Sequence, residues 1–203
     1  QKQRMLYKNL PAPHEASIAL MKKDIKKHPK GQGWVWNDVN LGHLHYRSEK
    51  TVIGLFGHVV DSDIQLISNL IDALTIVAPN LQIKYSSDAS SVNLPIYMYP
   101  CDDDIDYQLD CSDYAGVYFP NSDWIFVDAS VSRLYREHVI VHELGHALGL
   151  GHNLCKDSVM SYSDLADPIP FFDDVDLMQL QVLYSDTSKP YKIGLFAPVM
   201  YFG

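Results

Sequence analysis

Residues 142–152 read His-Glu-Leu-Gly-His-Ala-Leu-Gly-Leu-Gly-His. Residues four apart lie on one face of an α-helix, so His142 and His146 can present their imidazoles to the same metal ion. Glu143 follows His142 directly, and its carboxylate can lie beside the ion without ligating it. That position suits a base that acts on metal-bound water. The spacing therefore predicts a helix that carries two metal ligands and a general base.

The third ligand depends on Gly149. Glycine tolerates positive φ, so it can end the helix and let the chain turn sharply. His152 can then return to the same ion, whereas on a continued helix its ring would be carried away along the axis. Three neutral nitrogen ligands leave one tetrahedral position for water, which is the arrangement of a catalytic zinc site. We therefore predict one Zn²⁺ ion held by His142, His146 and His152.

The complete pattern, His-Glu-x-x-His-x-x-Gly-x-x-His followed by Met160, resembles the metzincin zinc peptidases. The short spacing from His152 to Met160 is similar to that of the matrixins, the matrix-metalloproteinase type. The resemblance implies an α+β, metzincin-like catalytic domain with a twisted, mainly parallel sheet, an antiparallel edge strand and about three helices. It also implies a zinc-dependent endopeptidase in which Glu143 assists the attack of zinc-bound water on a peptide bond. Met160 is then the apolar floor beneath the metal.

Two further segments carry the resemblance. Residues 115–120 resemble the matrixin edge strand, which implies that a protein or peptide substrate pairs with Ala115, Gly116, Val117, Tyr118 and Phe119. Tyr162 stands where matrixins have proline, and Met-Ser-Tyr is instead similar to serralysins, whose tyrosine is an additional zinc ligand. Tyr162 is therefore a candidate catalytic residue, as a ligand and hydrogen-bond donor to the transition state. A packing tyrosine is the alternative.

Apolar periodicity predicts the elements around this motif. Ser62 or Asp63 is predicted to cap a helix that reaches Val77, because apolar residues recur there at helical spacing and Pro79 and Asn80 stop it. Alternation predicts strands near residues 44–46, 81–85, 96–99, 115–119 and 124–127. Helices are predicted over about 132–148 and from 173 or 174 to 184.

Composition and charge limit the class of protein to which the chain can belong. The chain of 203 residues fits one domain, and 47% apolar and 20% charged residues indicate a globular protein. We predict an N-terminal extension or pro-segment over residues 1–33, a catalytic domain over 34–185 and an apolar C-terminal extension over 186–203. A net charge of −9 argues against a nucleic-acid partner. No apolar run reaches the roughly 18 residues of a membrane span, and we expect a monomer.

The three cysteines bear on the compartment. Cys101 and Cys111 bracket a short acidic loop and suit a disulfide, although Cys155 is a competing partner and three free thiols are the other alternative. A disulfide favours a secreted or extracytoplasmic protein. The acidic loop is also the place where a Ca²⁺ ion can bind, with a solvated surface as the alternative.

Two other functions compete with the peptidase. One is a non-catalytic or inhibitory protein that retains the fold and the zinc, but such a protein is expected to lose the base first, and Glu143 is present. The other is a zinc amidase with a non-peptide substrate. A peptide-library cleavage screen separates the amidase from the endopeptidase.

Overall fold

The computed structural model describes a set of segments that includes the predicted metal site. These are residues 47, 49–101, 115–119, 122–152, 158–160, 168–173, 176–177, 180–181 and 184. Several predictions lie outside the described residues: the extension of residues 1–33, the strand near 44–46, the acidic loop, Cys111, Cys155, Tyr162 and the C-terminal extension.

Within the described residues, the fold consists of one mixed sheet, two α-helices that are described over their full length and part of a further helical segment. Along the chain the elements are β1 (Thr51–Gly57), α1 (Asp61–Val77), β2 (Ile83–Tyr85), a 3-10 helix (Ala89–Ser91), β3 (Leu94–Tyr99), β4 (Gly116–Phe119), β5 (Trp124–Asp128) and α2 (Arg133–Ala147). The strand order is β2-β1-β3-β5-β4, and every pairing is parallel except that of β4 with β5. The predicted α+β class, with a mainly parallel sheet and an antiparallel edge strand, is confirmed.

Strand β1 is one element that the sequence pattern did not predict. It lies inside the sheet between β2 and β3, with Ile53 opposite Tyr85 on one side and Leu94 on the other. Its first four residues are all buried. A strand covered on both faces has no reason to alternate apolar and polar residues, so the alternation used to find the other strands is absent.

Helix α1 begins slightly earlier than predicted. Its first residue is Asp61, and Asp63 reaches back to accept a hydrogen bond from the backbone N–H of Val60 at 2.9 Å. Asp63 therefore acts inside the first turn and not as the capping residue. Its carboxylate also pairs with Arg136 of α2, so one buried ion pair joins the two helices.

Both helices contribute to one apolar core with the sheet. The core includes Leu70 and Leu74 of α1, Ile96 of β3, Ile125 of β5 and Leu144 of α2, all without solvent exposure. Helical residues at 176–177 and 180–181 lie where the last helix was predicted. The side chain of Asp173 accepts a hydrogen bond from the backbone N–H of Asp176 at 2.9 Å, which is the contact of a helix cap.

Candidate metal centre

Helix α2 ends in a turn that requires Gly149. The backbone N–H of Gly149 bonds to the carbonyl of His146 at 3.0 Å, and that of Leu150 bonds to the carbonyl of Gly145 at 2.9 Å. These two bonds define a Schellman motif, in which the residue after the cap takes positive φ. Gly149 has φ of 107°. The expected helix stop is therefore present, and the chain turns back toward the face that carries His142 and His146.

The turn brings the three predicted ligands together. The Nε2 atom of His152 lies 3.2 Å from Nε2 of His142 and 3.2 Å from Nε2 of His146. One nitrogen of each ring falls within 4.8 Å of the others. All three side chains are buried, with residue exposures of 8%, 1% and 8% for His142, His146 and His152.

Backbone carbonyls orient two of the rings. The Nδ1 atom of His142 lies 2.5 Å from the carbonyl oxygen of Val159, and Nδ1 of His146 lies 2.8 Å from that of Leu150. A carbonyl oxygen only accepts, so each Nδ1 must carry the proton. Each Nε2 then presents a lone pair toward His152. Such a contact to the second ring nitrogen is what fixes metal-ligating histidines in proteins.

This donor set fits a zinc ion. Zn–N bonds of about 2.0–2.1 Å in a tetrahedron place two nitrogens about 3.3–3.4 Å apart, close to the two 3.2 Å separations. Without a cation, His152 can donate a proton to only one of the two lone pairs that face it. A divalent cation satisfies all three nitrogens together.

Glu143 lies beside the three histidines with an unsatisfied oxygen. The residue is 2% exposed. Its Oε2 atom is buried and has no hydrogen-bond partner among the described residues. Burial raises the pKa of Glu143 well above its usual range, and a hydrogen bond from the backbone N–H of Tyr118 opposes that rise. A buried carboxyl group with a free lone pair at this position can accept a proton from a neighbouring group.

Met160 packs directly against the backbone of α2. A Cβ atom added to Gly145 would overlap the Met160 sulfur and would come within 3.3 Å of Phe172. Only glycine lets the two approach this closely. Met160 has no solvent exposure. Met160 is therefore a buried apolar contact of α2, and its role as a floor beneath the metal stays a prediction. The sequence pattern did not predict the close approach at Gly145.

A buried polar pair holds the turn that contains Met160. The hydroxyl of Ser158 donates to Asp176 at 2.8 Å and accepts from the backbone N–H of Met160 at 3.0 Å. Burial raises the pKa of Asp176 well above its usual range, and the charge of Asp173 adds to the rise. Asp176 lies in the last helical segment, so this contact joins that segment to the turn that contains Met160.

His138 is a half-buried histidine on helix α2, with specific contacts of its own. It lies one helical turn before His142, and the two rings stack with centroids 6.0 Å apart. Its Nδ1 atom lies 2.9 Å from the carbonyl oxygen and 3.1 Å from the backbone nitrogen of Ile169. The recurrence of histidine every four residues, at 138, 142 and 146, is the sequence feature that indicates this stacking.

Strand β4 runs along the edge of the described sheet and against α2. The carbonyls of Ala115 and Phe119 accept hydrogen bonds from the chain of β5 and the turn before it. Because orientation alternates along an antiparallel strand, the backbone groups of Gly116 and Tyr118 face away from β5. A Cβ atom on Gly116 would overlap Val139 and lie 3.3 Å from Cγ of Glu143. Gly116 thus allows the strand to approach the helix closely.

Comparison with known proteins identifies the family that the motif resembles. Residues 117–185 match the matrixin peptidase family, so the predicted matrixin resemblance is confirmed over that segment. A search of curated proteins found no match. The chain is similar to two structures of myroilysin. One has a TM-score of 0.46 and 13% identity over 70% of this chain and 96% of that chain. The other has a TM-score of 0.31 and 15% identity over 70% of this chain and 58% of that chain.

Proposed function

We propose that this chain, matrixin-like over residues 117–185, is a zinc-dependent endopeptidase. The observation that carries the proposal is the convergence of three histidine nitrogens beside a buried glutamate. His142, His146 and His152 would hold the ion, and the carbonyls of Val159 and Leu150 would keep two of the rings in the ligating tautomer.

Glu143 is the general base of this proposal. A bound zinc ion supplies Lewis acidity, which lowers the pKa of water and polarises a carbonyl group. Glu143 accepts the proton of the attacking water through its unsatisfied Oε2 atom and then delivers it to the leaving amine. The backbone N–H of Tyr118 opposes the rise in the Glu143 pKa that burial causes, and it favours the carboxylate form that accepts the proton.

The edge strand β4 is the proposed docking site for the peptide. An extended substrate would add to the edge by strand pairing along Ala115, Gly116, Val117, Tyr118 and Phe119. The outward-facing backbone groups belong to Gly116 and Tyr118, and the N–H of Tyr118 is already bonded to Glu143. We therefore expect the strand-pairing hydrogen bonds of the substrate to form with the N–H and carbonyl of Gly116.

Three finer features accompany the proposal. Tyr162 remains a candidate hydrogen-bond donor to the transition state, and a disulfide between Cys101 and Cys111 remains a prediction. We also propose a secreted or extracytoplasmic location, in keeping with a peptidase that acts on other proteins. Over the residues that the structure describes, the helices are too short or too polar to span a bilayer.

A peptide-library screen with Glu143→Gln tests the proposal. The substitution keeps the side-chain volume but removes the base, so we expect kcat/KM to fall about 10³-fold while zinc content stays unchanged. Glu137→Gln is the matched control, because Glu137 lies on the same helix and its partly buried side chain pairs with the exposed Arg133. The control should cleave like the wild type.

The other outcomes separate the alternatives. Zinc-loaded wild type that cleaves no peptide but hydrolyses small amides would identify an amidase. Zinc binding with no turnover of either substrate class would identify a non-catalytic protein. Equal cleavage by wild type and Glu143→Gln would remove Glu143 from the mechanism.

A further inference from the structure

Four residues from two separate parts of the chain form a polar network next to helix α2. Arg47 donates two hydrogen bonds to the carboxylate of Asp123, at 2.8 and 2.7 Å, and a third to the hydroxyl of Thr51 at 2.6 Å. Tyr118 donates its hydroxyl proton to the same carboxylate at 2.7 Å. We call Arg47, Thr51, Tyr118 and Asp123 the Arg47 network.

The network also contacts helix α2. Arg47 donates to the carbonyl of Ala147 at 3.2 Å, which is one of the carbonyls left unsatisfied at the helix end. Tyr118 donates its backbone N–H to Glu143 on the same helix. Glu143 and Ala147 lie about one helical turn apart on α2, and the turn between them includes His146. The two contacts therefore connect both ends of this turn to the Arg47 network and, through Tyr118, to strand β4.

Burying the charged groups of the Arg47 network is energetically unfavourable, which argues for a role beyond packing. The Arg47 side chain is 7% exposed, and a buried guanidinium destabilises the fold unless it is fully paired. Asp123 has φ of 56°, a conformation that L-residues rarely adopt. This conformation points the Asp123 carboxylate toward both Arg47 and Tyr118.

The charges in the network keep each donor protonated. Burial alone would lower the pKa of Arg47, but the hydrogen bond and charge of Asp123 raise it above its usual value. Burial and the Asp123 charge raise the pKa of Tyr118. The Tyr118 hydroxyl therefore remains a hydrogen-bond donor at neutral pH. Tyr118 is held at two points, by its hydroxyl bond to Asp123 and by its backbone bond to Glu143.

We propose that Tyr118 is a positioning residue for Glu143, held in place by Asp123 and Arg47. Among the described residues β4 pairs with β5 alone, and the hydrogen bonds of that pair do not set the distance between β4 and α2. The Arg47 network sets that distance and directs the Tyr118 N–H at the Glu143 carboxylate. This inference rests on the proposed function, in which Glu143 is the base.

Tyr118→Phe tests the proposal because it removes one hydroxyl and retains the buried ring. We expect kcat to fall about tenfold, since misplacing a catalytic group by a fraction of an ångström has effects of this order, with KM within about twofold of wild type. Zinc content should not change. Tyr97→Phe, a half-buried tyrosine on β3, is the matched control and should keep the wild-type kcat.

A second readout does not depend on turnover. The amide proton of residue 118 should exchange with solvent about tenfold faster in Tyr118→Phe than in wild type, because its bond to Glu143 is loosened. The amides of β3 should be unaffected. Asp123→Asn should also lower kcat and speed the exchange of amide 118. In the double variant of Tyr118→Phe and Asp123→Asn, kcat should fall no further than in the more strongly affected single variant.

The results distinguish the two proposals. Wild type that cleaves no peptide contradicts the proposed function, and the exchange of amide 118 still tests the positioning. A Tyr118→Phe variant that lowers the melting temperature but leaves both kcat and amide 118 at wild-type values overturns the positioning role, as does an Asp123→Asn variant with the same result.

Discussion

Helices α1 and α2 pack into the same core, but they bury different chemistry. On α1 the buried residues form one stripe, and all of them except Asp63 are apolar. On α2 every residue from 139 to 147 is buried, so this part of the helix is covered on all sides. Four buried residues of α2 are polar, namely Arg136, His142, Glu143 and His146.

The difference shows which helix stabilises the fold and which one serves a site. A stripe of apolar residues gains free energy in proportion to the area removed from water. Burying the polar groups of histidine and glutamate gains no such free energy, so these groups need hydrogen bonds or a bound ion. The carbonyls of Val159 and Leu150 satisfy two of the rings, and a metal ion would satisfy the remaining nitrogens.

Removing apolar volume from α1 should lower stability and leave the metal site unchanged. Leu70 has no solvent exposure. We expect Leu70→Ala to reduce the free energy of unfolding by about 3 kcal/mol, from lost burial and the resulting cavity. Urea denaturation measures the loss. Zinc content should match the wild type, and so should kcat well below the melting temperature.

Ile76→Ala is the control for that prediction. Ile76 is on the same helix but 59% exposed, so the change in unfolding free energy should be within about 0.5 kcal/mol. Loss of zinc from Leu70→Ala, measured on folded protein, would show that α1 shapes the metal site as well as the core.

A smaller effect is expected at the end of α2. Gly149→Ala places a Cβ atom at φ of 107°, so we expect a loss of about 1 kcal/mol in unfolding free energy. Zinc affinity should fall as well, because the turn carries His152 back to the other ligands. Gly54→Ala is an unsuitable comparison, since Val92 would clash there. A Gly149→Ala variant with wild-type zinc affinity would mean that the turn does not position His152.

Local patterns predicted much of this molecule. The helix over Arg133–Ala147 and its stop at Gly149 follow from spacing and from glycine conformation, and so does the meeting of His142, His146 and His152. The antiparallel position of β4 followed from the matrixin resemblance.

The remaining features depend on contacts between distant residues. Arg47 meets Asp123 across 76 positions, and Arg136 meets Asp63 across 73, with no local signal in either segment. The sequence pattern did not predict strand β1, because a strand covered on both faces lacks the alternation of apolar and polar residues. Asp63 was interpreted as a cap, although its partner on α2 gives it a second role that periodicity does not indicate.

The most direct test of the proposed zinc site is elemental analysis of the purified full chain, of Glu143→Gln and of His146→Ala. About one zinc per chain is expected in the wild type and in Glu143→Gln, because the base does not ligate the ion. His146→Ala removes one of three ligands and should retain less than about a tenth of that zinc. Wild type without zinc, or His146→Ala with as much zinc as wild type, would contradict the assignment of the three histidines as the metal centre.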